Sequence, residues 1–221
     1  MNLSIFDVIG PVMVGPSSSH TAGAAKLAYT AAQIAGCNFK KVRFGLHGSF
    51  AKTGEGHGTK TALLAGTLGM HEDDERMKFA YEEAQTQGKQ YSFYEIELEN
   101  CHENTVIITF EYEDGLQRII QGSSIGGGRI VITGIDGTET DISAECPTLM
   151  LIHRDIPGMV SEISRQLSEY NINIGIMKVS RKVKGHMATT IIETDSPVSD
   201  KVMAGLSKIN GIINICVIEP S

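Results

Sequence analysis

The run Gly15-Pro16-Ser17-Ser18-Ser19-His20-Thr21-Ala22-Gly23 sets four hydroxyls and an imidazole ahead of an alanine-rich stretch, residues 22–35. A helix starting there would aim backbone N–H groups with partial positive charge at an anion such as a carboxylate. An N-cap needs only one hydroxyl, so four beside a histidine favour an anion site over a simple cap. A Ser–His nucleophile pair is disfavoured, because residues this close in sequence rarely present base and nucleophile correctly and no nucleophile elbow is present. A second run, His47-Gly48-Ser49-Phe50-Ala51-Lys52-Thr53-Gly54-Glu55-Gly56-His57-Gly58-Thr59, repeats the plan of glycine-rich loop, histidine and small-residue helix. His57 lies between two glycines, where nothing local packs over it. A histidine near a helix N-terminus is held neutral and can accept a proton near neutral pH.

Two weaker patterns follow. Cys101-His102-Glu103-Asn104-Thr105 opens a strand, where a solvated loop histidine is the ordinary reading. Gly122-Ser123-Ser124-Ile125-Gly126-Gly127-Gly128 reads as a donor-rich loop that lets a ligand or partner approach the backbone closely. Neither glycine run is a nucleotide loop. The GxGxxG spacing fails at Gly54, where Thr59 takes the last position, and at Gly126, where Val131 does.

The elements that carry these motifs divide near Cys146-Pro147 into residues 1–146 and 147–221. In the first part, residues 22–35 predict a helix ended by Gly36 and residues 41–46 a strand. Residues 59–68 predict a small-residue helix, and residues 72–87 a charged, exposed one. Strands are expected at 91–98, 105–112, 118–120 and 129–135, giving an α+β pattern with much antiparallel sheet. The second part reads βαββαβ. It has strands at 148–153, 172–179, 187–193 and 212–218, a helix showing Val160, Ile163 and Leu167 on one face, and a second helix capped by Ser199. That order is a ferredoxin-like sandwich.

The whole chain has 221 residues, 19 Lys+Arg against 26 Asp+Glu, and a formal net charge of −7. So acidic a chain is ill suited to gripping phosphate backbones, which excludes nucleic acid as the expected partner. No apolar stretch reaches the roughly 18–20 residues of a membrane span. The first residues lack the pattern of a secretory signal. Cys37, Cys101, Cys146 and Cys216 are scattered and form no CxxC pair, so no metal site is expected on this chain and the thiols fit the reducing cytoplasm.

Two resemblances sharpen the reading. His153-Arg154-Asp155-Ile156-Pro157-Gly158-Met159-Val160, followed by Asn171-Ile172-Asn173-Ile174, resembles the first strand, loop and helix of an ACT domain. That likeness implies effector binding near Asp155, Pro157, Gly158, Met159 and Val160, and self-association through the domain. The run from Phe6 to Gly23, with Gly48-Ser49-Phe50-Ala51, Gly56-His57-Gly58-Thr59, His102-x-Asn104-Thr105 and Ser124-Ile125-Gly126-Gly127-Gly128, closely resembles the beta subunit of the bacterial iron–sulfur-dependent L-serine dehydratases. This second resemblance covers essentially the whole chain. It implies a first domain like the allosteric-substrate-binding domain of some phosphoglycerate dehydrogenases, and conversion of L-serine to pyruvate and ammonia. It also implies a [4Fe-4S] cluster ligated by a partner alpha chain, acting as Lewis acid on the leaving hydroxyl. His57, His102 and His20 are then the catalytic candidates, and Ser17, Ser18, Ser19, Thr21 and Asn104 would hold substrate. The pattern departs at His47, Lys60 and Glu103, where the family commonly has tyrosine, aspartate and proline. A non-catalytic amino-acid sensor is the competing reading.

Overall fold

The computed structural model describes residues 13–36, 38–54 and 56–220. The part of the resemblance that falls on residues 6–12, and Cys37, lie outside the described residues. The chain forms two compact units, Met1–Ser143 and Ala144–Ser221. The division precedes the expected 146/147 boundary by three residues. The carbonyl of Pro147 already accepts bonds from the amide and hydroxyl of Thr194, which ties this short stretch to the second unit.

The first unit is built on a six-stranded sheet in the order β2-β1-β3-β4-β5-β6. Its strands are β1 (Lys41–His47), β2 (Gln90–Ile96), β3 (Thr105–Glu111), β4 (Gln117–Gly126), β5 (Arg129–Ile135) and β6 (Thr138–Ile142). β1 runs parallel to β2, and every other neighbouring pair is antiparallel. The helices are α1 (Gly23–Ala35), α2 (Gly48–Lys52), α3 (Thr59–Thr67) and α4 (Ala80–Thr86). Apolar alternation on β3 buries Val106, Ile108 and Phe110, and these join Phe44, Leu46, Leu27, Leu63 and Leu64 in the core. α1 and α3 are rich in alanine because they lie close together, with Ala24, Ala25, Ala28, Ala62 and Ala65 all fully buried.

Two expectations are corrected here. The segment 122–126 is strand, not loop. Ser123 and Ser124 are buried in β4, and only Gly127 and Gly128 turn the chain into β5. The segment 72–87 is not one helix. The Asp74 side chain caps a short 3-10 turn, Glu75–Phe79, and α4 follows it with Ala80 and Ala84 buried. β6 was not expected at all.

The second unit contains β7 (Thr148–Arg154), α5 (Met159–Glu169), β8 (Ile174–Arg181), β9 (Met187–Thr194), α6 (Asp200–Leu206) and β10 (Ile212–Ile218). Its antiparallel sheet has the order β10-β7-β9-β8, the ferredoxin-like arrangement expected of the βαββαβ sequence. Leu149, Leu151 and Ile192 pack with Ile163, Leu167, Val202 and Leu206 to form its core. The inward stripe of α5 starts at Met159 rather than Val160. Met159, Ile163 and Leu167 are buried at intervals of four, whereas Val160 is 44% exposed. Ser199 occupies the N-cap of α6, but its hydroxyl makes no capping bond.

Candidate functional site

The serine run folds as a single π-helical turn, Ser18–Ala22, that leads into α1. Ser17 supplies the cap: its hydroxyl accepts the His20 amide at 3.1 Å and its carbonyl accepts the amides of Thr21 and Ala22. These bonds occupy backbone donors that the sequence suggested for an anion. π-turns of this kind are rare and cluster at functional sites. What the turn achieves is placement of His20.

The His20 ring sits among groups from two other segments and its own neighbour Ser19. Its Nε2 lies 2.9 Å from Ser49 Oγ and 3.1 Å from Thr53 Oγ1, both on or beside α2. Its Nδ1 lies 3.2 Å from Ser19 Oγ. The Phe50 ring meets it edge-on, with 5.5 Å between centroids, and the His57 ring lies 5.2 Å away. Burial, and secondarily the charge of His57, hold the His20 pKa below its ordinary value; hydrogen bonding to the Ser49 backbone opposes the shift. His57 is exposed, one residue before the Gly58 cap of α3, and its carbonyl accepts the Thr21 hydroxyl at 2.8 Å. The first two motifs therefore meet, 36 residues apart in the chain.

The third motif joins them through backbone. The Ser49 amide donates to the Glu103 carbonyl at 2.8 Å. Gly48, at φ 55, allows that approach, since a Cβ there would lie 2.6 Å from the same carbonyl. His102 is exposed, and its Nδ1 accepts the Asn104 amide at 3.1 Å. Asn104 is buried, and its Oδ1 has no partner among the described residues. The Asn104 carbonyl accepts the amide of Ser124, the bond that brings in the fourth motif. Ser124 is fully buried with an unpartnered hydroxyl, and that hydroxyl lies against Gly23, where a Cβ would approach it to 2.1 Å. Buried polar atoms without partners are costly and mark places where a ligand can complete the bonding.

His20 and His57 thus lie side by side, with Ser19, Ser49 and Thr53 on His20 and Thr21 under His57. Ser49, Thr53 and Ser124 were given no role from sequence. For Ser49 and Thr53 a signal existed, because a spacing of four on a helix puts both hydroxyls on one side. Among the described residues no three His, Cys, Asp or Glu gather as a metal-ligand set. Of the departures from the family pattern, His47 accepts the Leu98 amide through Nδ1, and Glu103 contributes the carbonyl that holds Ser49.

In the second unit, a groove of about 680 Å³ runs beside the 155–160 loop, lined in part by Pro157, Gly158, Arg165 and Lys208. Gly158 adopts a left-handed φ of 92 at the α5 cap. Asp155 is committed within the fold: its Oδ2 accepts the Gly185 amide at 2.7 Å and the Arg181 guanidinium at 2.6 Å, which together hold its carboxyl below the usual carboxylate range. Met159 is packed into the core, so the loop presents its backbone there and not its side chain.

A mixed α+β unit with paired histidines in a shell of hydroxyls, followed by a ferredoxin-like unit, defines the class. The model of the serine dehydratase beta chain family matches residues 4–116. The chain is 39% identical over 212 residues to the probable L-serine dehydratase beta chain of Bacillus subtilis, covering 96% of each protein. It is 40% identical over 204 residues to the L-serine dehydratase beta chain of Peptoniphilus asaccharolyticus, covering 92% of each. The chain belongs to the serine dehydratase beta chain family. A solved ACT domain, from the GTP pyrophosphokinase of Chlorobium tepidum, aligns with 32% of this chain and 82% of its own, at 19% identity and a TM-score of 0.27. No helix among the described residues is long and apolar enough to cross a membrane.

Proposed function

We propose that this chain is the beta subunit of a two-chain, cytoplasmic L-serine ammonia-lyase, inactive without an alpha chain. The observation that carries the reading is the His20–His57 pair, 5.2 Å between ring centroids, in a chain whose full-length relatives are named as serine dehydratase beta chains. In this reaction a base removes the Cα proton of L-serine, the C–H electron pair forms the Cα–Cβ double bond, and hydroxide leaves Cβ as water. The aminoacrylate then becomes an imine that hydrolyses to pyruvate and ammonia.

The described residues do not offer a metal-ligand set. In our reading the [4Fe-4S] cluster, a Lewis acid for the leaving hydroxyl, is held by the alpha chain. This chain's contribution is to bind substrate and move protons. His57, exposed beside His20, is placed to take the Cα proton. The unpartnered Asn104 Oδ1 and Ser124 Oγ offer buried polar contacts for the substrate's amino or carboxylate groups. Ser17, Ser18, Ser19 and Thr21 order the edge of the site. His102, with Nδ1 taken by the Asn104 amide, has its other ring nitrogen left for proton exchange. The second unit is the regulatory part, with an amino-acid effector in the groove beside residues 155–160 and self-association through the ACT-like fold.

The test is an anaerobic assay of serine-dependent pyruvate formation by this chain, by the alpha chain, and by the two mixed. Pyruvate is expected only from the mixture, and His57→Asn should lower its turnover by about a hundredfold or more. Activity in the alpha chain alone would assign this chain a sensing role. Turnover of the His57→Asn mixture within twofold of wild type would remove His57 from the chemistry.

A further inference from the structure

The geometry points to Ser49 and Thr53 as positioning residues that hold His20 neutral in one tautomer, with the proton on Nε2 and the lone pair of Nδ1 turned toward Ser19. The argument is a count of protons. The Thr53 hydroxyl donates to the Ser49 carbonyl at 2.9 Å, which uses its single hydrogen. Thr53 Oγ1 is therefore an acceptor in its other contacts, with Ser49 Oγ at 3.1 Å and with His20 Nε2 at 3.1 Å. If Nε2 carries the proton, it donates to Ser49 Oγ at 2.9 Å, Ser49 donates onward to Thr53, and Thr53 to the Ser49 carbonyl. On the other side of the ring, the Ser19 hydroxyl then donates to Nδ1 at 3.2 Å.

Four protons then serve all five contacts, with Nε2–H shared between Ser49 Oγ at 2.9 Å and Thr53 Oγ1 at 3.1 Å. The opposite tautomer spends the Ser49 proton on Nε2 and leaves two hydroxyl oxygens 3.1 Å apart with no hydrogen between them. The lowered pKa of His20 agrees with a neutral ring. The backbone reinforces the arrangement, because Ser49 is pinned through its amide to the Glu103 carbonyl and cannot drift from the ring.

A neutral His20 with a fixed acceptor nitrogen is a proton-accepting neighbour for Ser19, not a cation for a carboxylate. On the dehydratase reading, which this catalytic consequence rests on, His20 keeps Ser19 oriented as an acceptor for the substrate's amino group. The tautomer itself does not depend on that reading.

The full chain, with nitrogen-15 in its histidines, reports the tautomer directly by long-range nitrogen–proton correlation, using His20→Gln to assign the signal. Wild type is expected to show the proton on Nε2. Ser49→Ala and Thr53→Val should each shift the population toward Nδ1–H, and Ser49→Thr should restore it. In the mixture with the alpha chain, Ser49→Ala should reduce kcat about tenfold with KM for L-serine within twofold, and should move the acidic limb of the pH profile. A wild-type proton on Nδ1, or an unchanged tautomer in both Ser49→Ala and Thr53→Val, overturns the proposal. Thr53 lies at the surface, so its variant tests the idea even if Ser49→Ala unfolds. A wild-type mixture that makes no pyruvate counts against the dehydratase reading alone, because the spectrum is recorded on this chain by itself.

Discussion

The environment of His20 perturbs its titration, and the perturbation has a sign. Its pKa is lowered in the folded chain, so protonation opposes folding. The neutral ring's contribution is present above the unfolded value near 6.5 and is lost as pH falls through the lowered folded value. The difference in urea midpoint between wild type and His20→Gln is therefore expected to narrow between pH 7 and pH 5. A gap constant across that range would show that burial is not perturbing the ring. His20 and His57 stood out as candidates in their motifs, but their adjacency was not visible there. Thr21 reaches the His57 carbonyl across 36 residues of intervening chain, and no local pattern encodes that bond. Ser124 was harder still, since a serine between glycines looks like loop until the sheet buries it.

Element by element, the sequence was most readable where one face of a period was apolar. The second unit follows the expected element order, though β8 does not alternate in burial, and the small error on α5 arose because Met159 and Val160 are both apolar and adjacent. Misreadings came where composition and environment part company. β4 ends in Ser123-Ser124-Ile125-Gly126, of which only Ile125 has a strong strand preference, and is strand because its neighbours β3 and β5 supply partners. Small residues in α1 and α3 have a packing reason that helix propensity alone would not supply. A Cβ on Gly66 would lie 2.2 Å from the Ala25 carbonyl and 2.8 Å from Ala28 Cβ. Gly66→Ala would gain about 1 kcal/mol in helix propensity, but it must push two helices apart. A net loss of about 1–3 kcal/mol is expected in chemical denaturation. A variant as stable as wild type would mean that the crossing is looser than its geometry.

For the molecule as a whole, the His20–His57 pair belongs to the first unit and the groove beside residues 155–160 to the second. Titrating the full chain with L-serine and other amino acids in a calorimeter should give a binding heat that Gly158→Val removes, because valine is strained at a φ of 92 and would fill the lip of the groove. Heat unchanged by Gly158→Val would place any such ligand elsewhere, and no heat with any amino acid would leave the second unit without an effector. One feature of the first unit ties the start of α1 to a strand made much later in the chain. The floor beside Gly23 is laid by Ser124, on a strand that is synthesised about a hundred residues later and must be hydrogen-bonded into the sheet before it arrives. A chain still emerging from the ribosome with its first half complete thus owns both imidazoles but lacks the buried hydroxyl that lies against Gly23. The surroundings of Gly23 are therefore completed only once β4 has joined the sheet, and a product truncated before Ser124 would lack them.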